Sequence, residues 1–268
     1  MSKNRIITLL TDFGLSDVYV GVMKGTIAQI NPELKVIDIT HDIPPQNIAA
    51  GRFCLMNAVA YFPTETVHVA VVDPGVGSRR RAIAIQCANF YLVGPDNGLF
   101  GGVLSLASAI ASVELANPKY WRTNQPSSTF HGRDIFAAAG AHLANGVALE
   151  ELGEDLDPAS LVQLQIPNCS VTATGIEGCI QYVDRFGNLI ANIPNNCLKN
   201  KNWSVKVDRL SDSIIIPSGE TYSDGQPGDL IAIIGSEGWL EIAVNGGSAE
   251  SVLKLELGAN IQVIFETN

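Results

Sequence analysis

Over residues 6–93 the chain alternates short runs of Val, Ile and Leu with longer stretches whose apolar residues recur at helical spacing, as in a sheet covered by helices. A strand is predicted over 6–10; it runs into Thr11-Asp12-Phe13-Gly14, and a helix over 17–30 follows until Asn31-Pro32 stops it. A second strand over 36–39 ends at Thr40-His41-Asp42. The helix after it, over 46–61, is closed by Pro63, because a residue that precedes proline is pushed out of the helical region. A third strand over 67–72 opens into Asp73-Pro74-Gly75-Val76-Gly77. Further strands are expected at 82–86 and 90–93, then a turn at Pro95-Asp96-Asn97-Gly98. A helix over 133–144 begins directly after Ser128-Thr129-Phe130-His131-Gly132.

After Pro158 the texture changes. Helical periodicity fades, and short alternating strands appear between turns such as Glu177-Gly178, Phe186-Gly187-Asn188 and Asp224-Gly225. Strands are predicted at 178–183, 204–207, 230–234, 240–244 and 261–265. The expected organisation is an N-terminal α/β sheet domain with helices on both faces, residues 1–167, and a small all-β domain, residues 168–268. A chain of 268 residues is long for one domain and comfortable for two.

Composition narrows the classes. Apolar residues make up 46% and charged residues 16%, enough for large cores and for subunit contacts. A net charge of −10 argues against a nucleic-acid surface, which needs clustered Lys and Arg to neutralise phosphates. No run reaches the roughly 20 apolar residues of a membrane helix, and the N-terminus lacks a secretory signal. Five cysteines without a CxxC pair cannot form a complete disulfide framework, so a cytoplasmic location is expected.

In open α/β sheets ligands sit beyond the carboxyl ends of the strands, where Asp12, His41, Asp42 and Asp73 fall. The loop at 128–132 adds polar groups at a helix N-terminus, a position suited to anions. Asp12-Phe13-Gly14 spells the kinase metal-binding tripeptide without the loops that give it meaning, and Asp73-Pro74-Gly75-Val76-Gly77-Ser78 opens no phosphate loop. His41, His68, His131 and His142 lack metal-ligand spacing, so no metal is expected.

Taken in order, these loops resemble a known family. The motifs are Thr11-Asp12-Phe13-Gly14, Thr40-His41-Asp42-Ile43-Pro44-Pro45, Asp73-Pro74-Gly75-Val76-Gly77 with Arg80, and Thr129-Phe130-His131-Gly132-Arg133-Asp134. Asp184-Arg185-Phe186-Gly187-Asn188 and Gly235-Ser236-Glu237-Gly238-Trp239-Leu240-Glu241-Ile242-Ala243 extend the match through the C-terminal half. Together they are similar to the S-adenosylmethionine hydrolase and halogenase family. The resemblance implies that the C-terminal domain is barrel-like and that the protein is a homotrimer with active sites between neighbouring subunits.

Fluorinating members of that family carry an aromatic-containing turn where Asp73-Pro74-Gly75 stands, and a Tyr-Ser pair where His131-Gly132 stands. A halide needs donors that replace its hydration shell, whereas water needs a group to orient it and a group to take its proton. Asp73, Arg80 and His131 suit water and resemble the Asp-Arg-His set of the hydrolase branch. The implied reaction is attack of water or hydroxide at the ribose 5′-carbon of S-adenosyl-L-methionine, giving adenosine and L-methionine. The sulfonium is substrate, and no cofactor is expected. On this reading Arg80 holds the water, Asp73 fixes the geometry and His131 accepts the proton, the acceptor being the open point.

A carboxylate can accept both vicinal hydroxyls of a ribose, and Asp12 is the candidate. By resemblance Asn188 holds the nucleoside, Phe186 stacks nearby, Asp184 meets the methionine ammonium, and Ser236, Glu241 and the Val244 backbone make further substrate contacts. Halogenating relatives have Arg after this serine, where the present chain has Glu237.

Each residue also has a purely structural reading. Asp12 or His131 caps the helix that follows it, Asp73 nucleates a Pro-Gly turn, Arg80 belongs to the charge run Arg79-Arg80-Arg81, and Asn188 serves its hairpin. Phe186, Ser236 and Glu241 are then ordinary β-domain residues. Behind the hydrolase stand two other functions: a halogenase using chloride, and a non-catalytic adenosine or S-adenosylmethionine binding protein.

Overall fold

β1 (Ile7–Thr11) is buried along its whole length, as a central parallel strand covered on both faces must be. The computed structural model that places it describes residues 6–199, 201–208 and 213–265. The chain divides into two compact units, Met1–Leu164 and Gln165–Asn268, and each is described by itself.

The first unit runs β1, α1 (Tyr19–Ile30), β2 (Val36–Thr40), α2 (Ile48–Ala58), β3 (Thr66–Val71), β4 (Ala82–Cys87), β5 (Phe90–Pro95), α3 (Gly101–Leu106), β6 (Ala109–Glu114), α4 (Ala137–Ala144) and β7 (Glu154–Leu156). Its sheet has the order β2-β1-β3-β5-β4-β6-β7. Neighbours run parallel from β2 to β5 and antiparallel from there to β7. The chain leaves β1 toward β2 and returns to its other side for β3, so the strand order reverses between β1 and β3. The carboxyl ends of those two strands are the position at which open α/β sheets receive ligands.

The pleat sends Ile7 and Leu9 of β1 and Val67, Val69 and Val71 of β3 into one core with Met23 and Ile27 of α1 and Ala137, Ala141 and Ala144 of α4. Gly140 lets α4 lie this close, since a Cβ there would stand 2.5 Å from Val69 Cγ2. α2 and α3 pack together, and α2 touches β1.

Helix limits shift from expectation where the chemistry of the ends intervenes. The segment expected as one helix over 46–61 is α-helical to Ala58 and tightens into a 3₁₀ turn at Val59–Tyr61. The segment expected over 133–144 opens with a π-helical turn, Gly132–Phe136, before α4. α3, with two glycines in six residues, and β6, with its small residues, carried no readable periodicity.

The second unit comprises β8 (Ser170–Val171), β9 (Gly175–Val183), β10 (Leu189–Pro194), β11 (Trp203–Asp208), β12 (Ser213–Pro217), β13 (Leu230–Ile234), β14 (Trp239–Val244), α5 (Ala249–Leu253) and β15 (Asn260–Phe265). The order is β12-β11-β15-β9-β10-β14-β13, with β8 paired to β9. The two ends of this sheet meet at a Ser218–Ala232 bridge next to β12 and β13, so it nearly closes, in line with the barrel-like expectation. Ile176, Ile180, Leu189, Val205, Ile242 and Val263 share its core. Among the described residues no helix is long and apolar enough to cross a membrane, and no cluster of three His, Cys, Asp or Glu is placed to hold a metal.

His68 sits on β3 with no exposed surface. Its Nδ1 is 2.8 Å from Thr8 Oγ1, and the rings of Phe62 and Phe90 stand edge-on at 5.6 Å each. Its Nε2 has no hydrogen-bond partner among the described residues. Burial pushes its pKa from 6.5 down to about 4. The folded value is the lower one, so the neutral ring stabilises the fold at and above pH 6.5, and this contribution is lost as pH falls from 6.5 through 4. The loss is on the order of 3 kcal/mol, each unit being worth about 1.4 kcal/mol. Ring resonances of His68 should stay in the neutral form down to pH 5; a titration centred near 6.5 would overturn this assignment.

Candidate active site

The carboxyl end of β3 delivers Asp73 into a tight turn in which the Val76 N–H donates to the Asp73 carbonyl at 3.2 Å and the Ser78 N–H to the Gly75 carbonyl at 3.1 Å. The turn brings Arg80 back over Asp73. Arg80 Nε donates to Asp73 Oδ1 at 2.9 Å and Oδ2 at 3.1 Å, and Nη2 pairs closely with Oδ2. Side-chain exposure is 10% for Arg80 and 5% for Asp73, so this is not a solvated surface pair. Removing either partner from a buried pair costs about 3–5 kcal/mol. Phe136 covers the guanidinium, its ring centroid 5.2 Å from Cζ.

Arg80 Nη2 also donates to His131 Nδ1 at 2.8 Å. A guanidinium has only donors, so Nδ1 must be the accepting nitrogen and the ring proton sits on Nε2. Burial and the Arg80 cation lower the His131 pKa; Asp73 and Asp134 oppose them. Nη1 of Arg80 makes no hydrogen bond to a described residue. Gly77 makes this meeting of loops possible. It has φ +76°, and a Cβ there would stand 2.3 Å from the Ser128 carbonyl oxygen.

His131 stands at the head of the π-helical turn, and its side chain caps nothing. Three residues on, Asp134 is wholly buried. Its carboxylate accepts from Arg122 Nε at 2.5 Å, from Arg133 Nε and Nη2 at 2.7 Å each, and from the Ser127 N–H at 2.8 Å. Those bonds hold its pKa well below the carboxylate range against the opposing effect of burial. Asp134 therefore ties the 122–130 loop to the turn that presents His131.

Asp12 follows β1. It does not cap α1, whose N-terminus has no side-chain cap. Its Oδ2 accepts instead from the Gln46 N–H at 2.7 Å, and Gln46 holds a strained φ of 64°. Asp12, Asp73, Arg80 and His131 thus stand on loops at the strand ends flanking the switch point, and hydrogen bonds join the last three.

The second unit gathers its own set. Asp184 Oδ1 accepts from the N–H groups of Phe186 and Asn188 at 2.8 and 2.9 Å, and Oδ2 accepts from Asn188 Nδ2 at 2.9 Å. Asp184 and Asn188 therefore close their turn and leave Phe186, 76% exposed, at its tip. Glu241, buried on β14, accepts from the Tyr222 hydroxyl at 2.7 Å. Burial and the Asp184 charge raise the Glu241 pKa against that hydrogen bond, and burial and Glu241 push Tyr222 up to about 12. Val244 is buried, and its carbonyl accepts from the Gly247 N–H. Ser236 lies in the 235–238 turn and donates to Glu237 at 3.3 Å, apart from that hydrogen-bonded group.

The sequence pointed to neither Asp134 nor Tyr222 as a site residue. Arg122 lies twelve positions before Asp134, and Tyr222 nineteen before Glu241, so only the fold joins them. An Arg-Asp pair after a candidate histidine was the one signal available for Asp134.

Residues 7–153 match the N-terminal domain of the SAM hydroxide adenosyltransferases, and residues 178–262 match their C-terminal domain. The chain belongs to the SAM hydroxide adenosyltransferase family. It is 39% identical to a protein of Salinispora tropica named (R)-S-adenosyl-L-methionine hydrolase, over 98% of this chain and 99% of that one. A fluorinase of Actinoplanes sp. is 27% identical, with 97% of each covered. The crystal structure of an uncharacterized conserved protein from Thermotoga maritima superposes with a TM-score of 0.89 at 36% identity, over 96% of this chain and 99% of that one. Asp12, Asp73, Arg80 and His131 lie in the N-terminal family domain; Asp184, Phe186, Asn188, Ser236, Glu241 and Val244 lie in the C-terminal one.

The ion pair and the imidazole predict opposite responses. Arg80→Gln removes a cation that lowers the His131 pKa and should move it up, whereas Asp73→Asn removes an opposing anion and should move it down. Histidine ring shifts followed against pH test both; two shifts of the same sign would contradict the arrangement.

Proposed function

We propose that this chain hydrolyses S-adenosyl-L-methionine to adenosine and L-methionine. An oxygen nucleophile derived from water forms the bond to the ribose 5′-carbon while the carbon–sulfur bond breaks. Methionine leaves as a neutral thioether with the bonding pair, and the water's second proton is released. Because the leaving group needs no acid and the carbon no electron sink, the reaction as written calls on no cofactor.

The observation that carries this reading is the buried Arg80, held by Asp73 on one edge and bonded to His131. A fixed cation in a water-poor site stabilises hydroxide, and the attack of hydroxide on a sulfonium cancels charge, which low polarity favours. Nη1 is the donor left for the nucleophile. While Nδ1 of His131 accepts from Arg80 it is not available to take a proton, so the base role suggested by residue type gives way to a role in holding the guanidinium. Asp12 keeps Oδ1 for the ribose hydroxyls. Asp184, Phe186, Asn188, Ser236, Glu241 and the Val244 backbone are assigned to the nucleoside and methionine by family resemblance.

We further propose a cytoplasmic homotrimer with active sites between subunits. Supporting the assembly, Leu15 and Val18 beside the Asp12 loop are 69% and 72% exposed, apolar surface that a subunit contact would cover. Sedimentation that returns a monomer removes this part.

In oxygen-18 water the label should enter the 5′-hydroxyl of adenosine. Label in methionine, or 5′-chloroadenosine as the product in chloride, would overturn the hydrolase reading. Arg80→Lys, which keeps the charge but not the fork, should lower kcat by about 10²-fold with substrate affinity largely kept.

A further inference from the structure

Hydrolysis as described leaves the Thr40-His41-Asp42 loop without a task, yet His41 is only 4% exposed and lies one bond network away from Asp12. Its Nδ1 is 2.8 Å from the hydroxyl oxygen of Thr11, which is wholly buried and immediately precedes Asp12. The Phe13 N–H donates to that same hydroxyl oxygen at 3.2 Å, and the Gly14 N–H donates to the His41 carbonyl at 2.8 Å. The backbone on both sides of Asp12 is therefore tied, directly or through Thr11, to one histidine.

On its far side His41 Nε2 stands 3.1 Å from Asp38 Oδ1, a bent electrostatic contact rather than a formed hydrogen bond. Asp38 Oδ2 accepts from Lys24 Nζ at 2.6 Å. A carboxylate opposite Nε2 favours the tautomer with its proton there. Nδ1 then accepts the Thr11 O–H, and the Thr11 oxygen keeps a lone pair for Phe13. Every donor in the chain Asp38, His41, Thr11, Phe13 has one direction.

We infer that His41 is a positioning residue for Asp12: through the Thr11 hydroxyl it fixes the turn that aims the Asp12 carboxylate at the vicinal hydroxyls of the ribose. The inference rests on Asp12 being the ribose acceptor. A histidine that merely filled the core would influence stability alone. A positioning histidine sets affinity for any ligand carrying the ribose, and does so by the same route as Thr11.

Adenosine affinity measured by calorimetry, beside KM and kcat for S-adenosylmethionine, tests this. Thr11→Val removes only the hydroxyl and keeps the branched shape of the strand residue, so it folds where a larger change at 41 fails. Thr11→Val and His41→Leu should each weaken adenosine binding and raise KM by about tenfold, the worth of one hydrogen bond, and change kcat much less. The double variant should lose no more than the worse single, and His41→Asn, whose amide reaches the Nδ1 position, should recover part of the loss. Unchanged adenosine affinity in Thr11→Val, or additive losses in the double variant, would overturn the inference. An Asp12→Asn protein that binds adenosine as well as wild type would do the same. A wild type that binds adenosine but does not cleave S-adenosylmethionine sinks the hydrolase reading instead, while the affinities still decide the role of His41.

Discussion

A guanidinium that can only donate, shared between a carboxylate and an imidazole, is the constraint on which the candidate site of the first unit depends. It settles which nitrogen of His131 accepts, holds Asp73 by two nitrogens of one side chain, and leaves Nη1 without a hydrogen bond to a described residue. Neither partner makes sense alone. A buried arginine without Asp73 bears an unpaid desolvation cost, and His131 without Arg80 has a lone pair facing nothing.

That interaction is assembled from parts far apart in the chain, and the sheet explains why they meet. β1 and β3 lie side by side because the chain crosses to β2 and comes back, which puts the loops after both strands at one crevice. Glycine at 77 removes the side chain that would hold the Asp73 loop off Ser128, and buried Asp134 anchors the loop from the other side. The energetics are those of a packed α/β core carrying a few polar groups, each satisfied by a named partner. Among the described residues the exceptions are His68 and His41, each with an Nε2 that forms no hydrogen bond.

Much of this was legible beforehand. The runs over 6–10, 36–39 and 67–72 read as strands of a helix-covered sheet because each is short and rich in Val, Ile and Leu, and the polar residues after them fell where open α/β sheets bind ligands. Arg80 was obscure because Arg79 and Arg81 flank it and nothing in a charge run says which member turns inward; the fold sends Arg81 to Asp96 and Arg80 to Asp73. Asp134 and Tyr222 stayed hidden because hydrogen bonds across a loop leave no periodic trace. The turn role of Asn188 was one of two readings, and its bonds to Asp184 account for that role without touching the other.

The π-helical turn at Gly132–Phe136 separates two requirements that a regular helix would fuse. In an α-helix each residue is rotated by about 100° from the last, so packing one face fixes the bearing of every side chain. One wider turn breaks that lockstep. α4 is free to seat its alanines against β3 at the depth Gly140 permits, while the imidazole upstream points where the guanidinium requires. The packing of α4 thus constrains volume, and the turn before it constrains direction, as separate demands on neighbouring residues.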